Sequence, residues 1–567
     1  MITPKQVQGT PIKDAMPIVL LCTLCLVTYC RVFDVPFIFD DFAIVKKNPF
    51  IRDFGNFFQR QKALETFAAH PYVLTDTLNN FLTRPLSYLT FAINYHFHGI
   101  AVAGYHLVNI IIHTLNVLAV YALARVTARI LDMGRALSAD EVAFQEAVKI
   151  AFVTAALFAV HPLMTNSVTY ITHRMTSLVA LFYLTSLLVY VYGVICHQQV
   201  KKTALYALSF LLCCAAMLTK ENAFTLPLMI VVYDTLFLQG ALKQRIIRLT
   251  PFVLTMVIIP CNVMMLPKAG GLVPGNALIS ALNIVNFKQF SSWEYLLTQF
   301  RAVAFYISLL LKPTQLSLEH KFRVSHSLGD IDVVMSLALH LALFGYGSYL
   351  VWSSHKKSTH TVSNGLAGFG IIWFYGTLMV ESSIIPLNVM VAEYRTYLPS
   401  FGFFLFIVCQ VGRAIEKIFA HNNTANLKYL FWLPILCLLM TLTIRRNEVW
   451  RKPDELWIKT IYLYPTLARA YANLADHYIR TGALQNAIEV YRLSIKEMPA
   501  QPVLHYELGN VYLLSKQYDL AITELQRAII MQPDMGKAYT SLSKAYVFTG
   551  RFEQAVESSK MADRLKR

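Results

Sequence analysis

The chain runs Met16-Pro-Ile-Val-Leu-Leu-Cys-Thr-Leu-Cys-Leu-Val-Thr-Tyr-Cys-Arg-Val-Phe33 and continues directly into Asp34-Val-Pro-Phe-Ile-Phe-Asp40-Asp41-Phe-Ala-Ile-Val-Lys-Lys-Asn-Pro-Phe-Ile-Arg52. The first run is apolar over a length that spans a bilayer, follows Lys5 and Lys13, and has no small-residue cleavage site after it. It reads as an uncleaved anchor with a cytoplasmic N-terminus. The second run places two adjacent carboxylates within a few residues of a membrane surface, where charge is costly and marks a functional candidate. An acidic turn in a solvated loop is the plainer reading of the same pair. The rest of the chain bears on which reading holds.

Of 567 residues, 56% are hydrophobic, 13% aromatic and only 15% charged, with a mean hydropathy of +0.47. A soluble globule carries roughly 25% charged residues, so this composition indicates a polytopic, all-α membrane protein. The net charge of +17 sits largely between apolar segments, and no basic patch interleaved with aromatics points to nucleic acid. All nine cysteines lie within or at the ends of apolar segments, Cys22, Cys25 and Cys30 in the first and Cys213-Cys214 together in another. They read as small buried hydrophobes rather than a disulfide or zinc framework.

Eleven apolar segments are expected as spans, at 16–33, 105–124, 150–164, 176–195, 204–218, 223–238, 250–266, 331–352, 366–380, 397–411 and 428–444. Basic clusters occupy every second connection: Arg125, Arg129 and Arg135; Lys201 and Lys202; Lys243, Arg245 and Arg248; Lys356 and Lys357; Arg413 and Lys417. That alternation is the positive-inside pattern. It requires Trp293 to Lys312 not to cross, and Glu294, Thr298, Arg301, Ser308 and Lys312 form a polar stripe on that segment, as an in-plane amphipathic helix would have. A membrane domain is therefore expected over 1–445, with an exported loop at 34–104 and an exported segment at 267–330, then a linker at 446–467.

From residue 468 to 567 the pattern changes. Registers begun at 468, 502 and 536 align Tyr471 with His505 and Tyr539, Leu474 with Leu508 and Leu542, Tyr478 with Tyr512 and Tyr546, and Ala487 with Ala521 and Ala555. Pro499 and Pro533 close the first two. A period of 34 residues with these anchors is the tetratricopeptide pattern, so three repeats forming an α-solenoid are expected.

By the alternation above, Asp40-Asp41, Arg84, His161, Arg174, Lys220-Glu221, Glu381 and Glu393 with Arg395 fall on or near one non-cytoplasmic face. Charges gathered at membrane depth need partners or water, so a shared polar cavity is expected. Plainer readings stand beside it. Lys220-Glu221 can be a local ion pair or cap, His161 before Pro162 a helix-end residue, Glu381 the end of a span, and Arg84-Pro85 a loop-orienting pair. His106 and His113, at i and i+7, have no Cys or carboxylate cluster beside them to complete a metal site.

The order of landmarks then becomes informative: Phe39-Asp40-Asp41, Arg84-Pro85-Leu86, Tyr105-His106 with Asn109 and His113, Phe158-Ala-Val-His161-Pro162, Arg174, Lys220-Glu221, and Glu393-Tyr-Arg395-Thr-Tyr397-Leu-Pro399-Ser400, followed by the repeats. In this order the chain resembles a bacterial-type member of the transmembrane and tetratricopeptide-repeat (TMTC) proteins, of the GT-C superfamily of membrane glycosyltransferases. It departs from the family pattern at Thr165-Asn166-Ser167, where an acidic residue is usual, at His173, where a Gly usually precedes the Arg, and at Tyr394, which separates Glu393 from Arg395.

The resemblance implies an inverting transfer of one sugar from a polyprenyl-phosphate donor to Ser or Thr of exported proteins. It implies a multi-pass protein of the bacterial inner membrane, with site and repeats on the periplasmic side. A hydroxyl is a poor nucleophile at neutral pH, so Asp41 or Asp40 is expected to take its proton, with Asp41 favoured. Arg174, Lys220, Arg395 and Arg84 are the candidates to face the donor phosphate, supported by His161, Glu221, Glu381 and Glu393. Tyr471, Tyr478, His505 and Tyr512 are the candidate acceptor contacts on the repeats. No cofactor is expected, although paired carboxylates can hold Mg²⁺ or Mn²⁺. The competing functions are a non-catalytic, membrane-anchored repeat scaffold for exported proteins and an oligosaccharyltransferase using a diphosphate-linked glycan.

Overall fold

The computed structural model describes residues 11–70, 75–133, 141–264, 290–354, 361–387, 389–418 and 427–565; Arg135, Lys356, Lys357 and the first part of the expected exported segment, 267–289, lie outside the described residues. Every regular element within them is helical. The chain divides into two compact units, Met1–Leu316 with Phe322–Arg451, and Ser317–Lys321 with Lys452–Arg567.

Each of the eleven expected segments is helical in the first unit. Among the described residues six helices are long and apolar enough to cross a membrane: Val102–Asp132, Ile171–Ile195, Gln199–Met217, Leu242–Met264, Ile331–Ser354 and Glu393–Ile418. A seventh follows if Gln145–Val160 and Pro162–Val168, bent by 53° where Pro162 interrupts the ladder, count as one. The others fall short for visible reasons. Leu226–Phe237 has 12 residues, which at about 1.5 Å per residue reaches little more than half a bilayer core. Trp432–Trp450 carries Arg445, Arg446 and Glu448 in its last turns. Thr361–Leu378 is diluted by glycines that bring backbones together: a Cβ on Gly370 would collide with the Gly402 carbonyl, and one on Gly402 with the Gly370 carbonyl.

Ser292–Leu311 is a helix opened by a Ser291/Glu294 capping box. Its polar stripe does not face a headgroup layer as a unit. The Thr298 hydroxyl accepts from the Ser325 N–H at 2.9 Å, Arg301 donates to the Arg323 carbonyl at 3.0 Å, and Glu294 holds His326 at 2.6 Å. The stripe fastens the returning segment 323–326 onto the helix, a use that period alone cannot distinguish from solvation.

The loop at 34–104 has its own core. Phe37, Val45, Phe50, Ile51, Leu78, Phe81, Tyr88 and Phe91 are buried together with Tyr105, Ile171 and Met175 from the helices beneath. Phe50 stacks on Phe81 with centroids 4.8 Å apart. Burial of this aromatic surface clamps the Asp40-Asp41 turn to the start of the Ile171–Ile195 helix.

In the second unit, three helix pairs follow the expected registers: Ala468–Arg480 with Leu484–Glu497, Pro502–Leu514 with Tyr518–Met531, and Gly536–Phe548 with Phe552–Arg564. Ala487, Ala521 and Ala555 are buried where paired helices approach. The stretch expected as a linker, 446–467, is also helical: Trp432–Trp450 continues through its first part, and Pro453–Leu463 belongs with the repeats. Ser317–Lys321 joins this unit through Ser317 on Thr460 at 3.0 Å, His320 on Tyr464 at 2.8 Å and Glu319 on Arg469 at 3.1 Å.

The turn inside each pair needs a left-handed residue. Gly482 and Gly550 supply it at φ 79° and 75°, but the second repeat uses Lys516 at φ 61°. A residue with a Cβ is strained there by about 1 kcal/mol. Lys516→Gly is therefore expected to stabilise the second repeat by about that amount, less the cost of the freer unfolded chain. Slower amide exchange across Pro502–Met531 in the full-length protein checks it.

Candidate active site

The site begins at a strained turn. Phe39 sits at φ 48°, an uncommon conformation for an aromatic residue, and it turns the two following carboxylates to opposite fates. Asp41 is 1% exposed. One of its oxygens accepts the Ile38 N–H at 3.0 Å and the other the Thr172 N–H at 2.9 Å, so it ties the turn to the neighbouring helix. Asp40 is exposed, and its backbone N–H donates to the Tyr170 hydroxyl at 3.0 Å. Of the two carboxylates, the favoured Asp41 is thus the one whose oxygens are both engaged in the interior, and Asp40 is the one at the surface.

Burial pushes the Asp41 carboxyl up from 3.8 to about 8, against the downward pull of its two N–H donors and with a smaller upward push from Asp40. A carboxyl that holds its proton more tightly in the folded chain stabilises the fold while protonated. This contribution is full below 3.8 and is lost as the pH rises towards about 8. Asp41→Asn should remove that slope, and it should also turn an amide donor toward one of the two backbone N–H groups, at a cost of about 1–3 kcal/mol. Unfolding midpoints of both chains between about pH 5 and pH 8 test the sign: the wild-type midpoint falls, while that of the variant starts lower and stays flatter.

Around Asp40 stand groups from separate stretches of the chain. Arg84 Nε donates to Glu221 at 2.8 Å, with side chains 24% and 36% exposed. Burial works against both charges, but each offsets it for the other: the Glu221 carboxyl is held below its ordinary value and the Arg84 guanidinium above its own. Lys220 Nζ donates to Glu381 at 2.9 Å and to Thr176 at 3.2 Å, and lies 4.4 Å from the Tyr394 ring centroid. Tyr394 meets His173 edge to face at 4.4 Å, and His173 meets Tyr170 at the same separation. Tyr170 returns to the backbone of Asp40. The charge of Asp40 also reaches Tyr88, which lies in the field of Arg84.

The sequence candidates thus separate into two groups. Arg84 pairs with Glu221, Lys220 pairs with Glu381, and Asp40 acts with Arg84 and Glu221 on the same Tyr88 ring. Arg174 does not join them: it is fully buried, with Nε on Asn109 at 2.6 Å, its other nitrogens on the Thr90 and Tyr105 carbonyls, and its guanidinium over Phe91. Every face is engaged by protein, so it is a strut between the loop and two helices. Arg395 holds the Val389 and Met390 carbonyls at 2.6 and 3.1 Å, but it also stands in the field of Glu381, with Tyr295 between them donating to the Glu381 carbonyl at 2.9 Å. His161 caps the turn at Leu163 and contacts the Leu310 carbonyl at 3.1 Å, the plainer of its two readings. Glu393 is buried at the start of its helix. His106 and His113 contact the Val35 and Ala159 carbonyls. Among the described residues no group of three or more His, Cys, Asp or Glu is placed to hold a metal ion.

In the repeats, the expected acceptor contacts are mostly packing residues. Tyr471 is 1% exposed and donates to the Pro465 carbonyl; Tyr512 is 3% exposed and accepts from Arg492. His505 pairs with Glu524 at 2.7 Å, and Tyr478 packs against the repeat core. These positions recur because helix pairs need them filled, which is what a repeat period reports first.

Sequence reasoning missed Tyr170, His173 and Tyr394 as site residues. With 30 tyrosines in the chain, local pattern does not distinguish these two. The available signal was that His173 and Tyr394 are both departures from the family pattern, and the two rings touch.

A tetratricopeptide repeat family model matches residues 468–500 and 503–535. Over 488 residues the chain is 24% identical to the protein O-mannosyl-transferase F38B6.6 of Caenorhabditis elegans, covering 85% of this chain and 63% of that protein. It is 24% identical over 560 residues to the protein O-mannosyl-transferase Tmtc3 of Drosophila melanogaster, covering 90% and 58%. It is 26% identical over 516 residues to the protein O-mannosyl-transferase TMTC4 of Homo sapiens, covering 83% and 64%. The chain spans less than two thirds of the length of these relatives. Among solved structures, the crystal structure of MamA protein matches 28% of this chain and 90% of its own at 25% identity, with a TM-score of 0.20. The TMTC resemblance read from the landmark motifs extends over most of the chain.

Proposed function

We propose that this relative of the TMTC proteins is a protein O-glycosyltransferase that moves one sugar, mannose by analogy with the relatives, from a polyprenyl-phosphate donor to Ser or Thr of exported proteins. The observation that carries this reading is the division of labour at the turn: Asp41 is buried and pinned, which leaves Asp40 exposed, acting with Arg84 on Tyr88 and linked to Lys220 through the Tyr170, His173 and Tyr394 rings. In the reaction the acceptor hydroxyl gives its proton to Asp40 as its oxygen attacks the anomeric carbon from the face opposite the leaving group. The bond from that carbon to the phosphate oxygen breaks with inversion, and the lipid phosphate departs with the electron pair. Arg84 and Lys220 supply positive charge where that negative charge develops.

Arg174 and Asp41 hold the geometry, and the repeats recruit the acceptor on the outward face of the bacterial inner membrane. The test is the intact mass of exported proteins from cells carrying wild type, no chain, or Asp40→Asn. A mass difference of one hexose that disappears in the variant supports the proposal. A block of sugars would indicate an oligosaccharyltransferase, and unchanged masses throughout a non-catalytic scaffold.

A further inference from the structure

Arg446 and Trp450 lie one helical turn apart near the end of the Trp432–Trp450 helix, and neither belongs to the groups described above. Arg446 is 8% exposed and Trp450 is fully buried. Arg446 Nη1 donates to the Leu316 carbonyl at 2.9 Å, but its Nε and Nη2, and the Trp450 indole Nε1, make no hydrogen bond among the described residues. Three buried donors without acceptors on one helix face are costly to maintain unless something that only accepts is meant to meet them. A water accepts at most two hydrogen bonds and brings donors of its own. A phosphate group offers only acceptors to such a set, and a guanidinium presents two N–H groups in the fork that matches its oxygens.

The position points the same way. The guanidinium lies 5.7 Å from the Trp450 ring centroid, and Trp450 stacks on Tyr170 at 5.6 Å and 26°. The Tyr170 hydroxyl in turn accepts the Asp40 N–H. Arg446 is thus joined through two stacked rings to the backbone of the residue assigned as base. Arg84 and Lys220, by contrast, are each engaged by a carboxylate at hydrogen-bond distance. Glu393, whose field reaches Arg446, offsets part of the positive charge there.

We propose that Arg446 and Trp450 form a phosphate-binding subsite that grips the lipid-phosphate end of the donor. The assignment rests on the transferase reading for the identity of its ligand. Farnesyl phosphate, farnesol and inorganic phosphate, titrated onto the detergent-solubilised full-length chain and followed by thermal shift, provide the test. Wild type should bind farnesyl phosphate at least about tenfold more tightly than farnesol. Arg446→Gln should weaken farnesyl phosphate by about tenfold to a hundredfold and leave farnesol unchanged. Trp450→Phe keeps the ring stack but removes the N–H, and should weaken it by up to about tenfold. Inorganic phosphate that displaces farnesyl phosphate from wild type but not from Arg446→Gln supports a site for the phosphate group itself.

Equal binding of farnesyl phosphate by wild type and by a folded Trp450→Phe chain, or no preference over farnesol in wild type, overturns the subsite. Asp40→Asn separates this from the parent reading. It should bind farnesyl phosphate at least as tightly as wild type while losing transfer, so retained glycosylation in that variant overturns the transferase reading even if the phosphate subsite stands.

Discussion

Asp40→Asn yields a folded chain that reaches normal levels in the membrane and transfers sugar about 10²- to 10⁴-fold more slowly, the usual cost of removing a general base. The structural side of this expectation is local. Asp40 is exposed, and its hydrogen bond to Tyr170 comes from the backbone N–H, which Asn retains. An isosteric change at an exposed position moves stability by no more than about 0.5 kcal/mol. The amide cannot take a proton from an attacking hydroxyl. Asp41→Asn should do the reverse: lower stability, with transfer per folded molecule reduced only as far as the turn loosens. Single-turnover transfer to a fixed acceptor, normalised to folded protein from a thermal melt, distinguishes the two. A slow Asp41→Asn beside a normal Asp40→Asn would return the base to the buried residue, and normal rates in both would leave the repeats as the functional part.

The features legible in sequence were those set by short-range rules. A period of 34 placed all six repeat helices, because each pair repeats one packing problem. The same rule does not separate packing from binding at Tyr471, His505 and Tyr512, which all have partners within the repeats, since a residue recurring for either reason leaves the same mark. The apolar runs predicted helices correctly but did not establish how many cross: Leu226–Phe237 is too short, and Trp432–Trp450 ends in charge. At the site, the need to compensate membrane-depth charges pointed to stretches whose charges the structure pairs, Arg84 with Glu221 and Lys220 with Glu381. Their roles were not legible, because Arg84 and Arg174 are the same residue type in similar settings until their partners are known. One faces Glu221 near the surface, and the other is enclosed by Asn109 and two carbonyls. Asp40 and Asp41 differ for the same reason, through the left-handed turn at Phe39, which composition does not reveal.

Lys220→Met should be the most destabilising of the site substitutions. Lys220 and Glu381 have side chains only 10% and 9% exposed and are 2.9 Å apart, so removing the cation leaves Glu381 buried without its ion-pair partner. Breaking one side of such a pair costs about 3–5 kcal/mol, and Glu381→Gln should cost a comparable amount by isolating Lys220. The double variant Lys220→Met with Glu381→Gln leaves no uncompensated charge, and its stability should return to within about 1–2 kcal/mol of wild type. The coupling is then several kcal/mol in a double-mutant cycle of thermal or denaturant midpoints. The cycle separates two roles that stability alone confounds. If Lys220 only secures Glu381 and the Tyr295 hydroxyl bonded to its backbone carbonyl, transfer recovers together with the fold in the double variant. If Lys220 also faces the departing phosphate, as proposed, the double variant is stable and still slow, with the deficit in kcat rather than in KM because the charge it meets is largest in the transition state. Wild-type transfer by the stable double variant would assign the pair to structure and leave Arg84 and Arg446 to meet the phosphate.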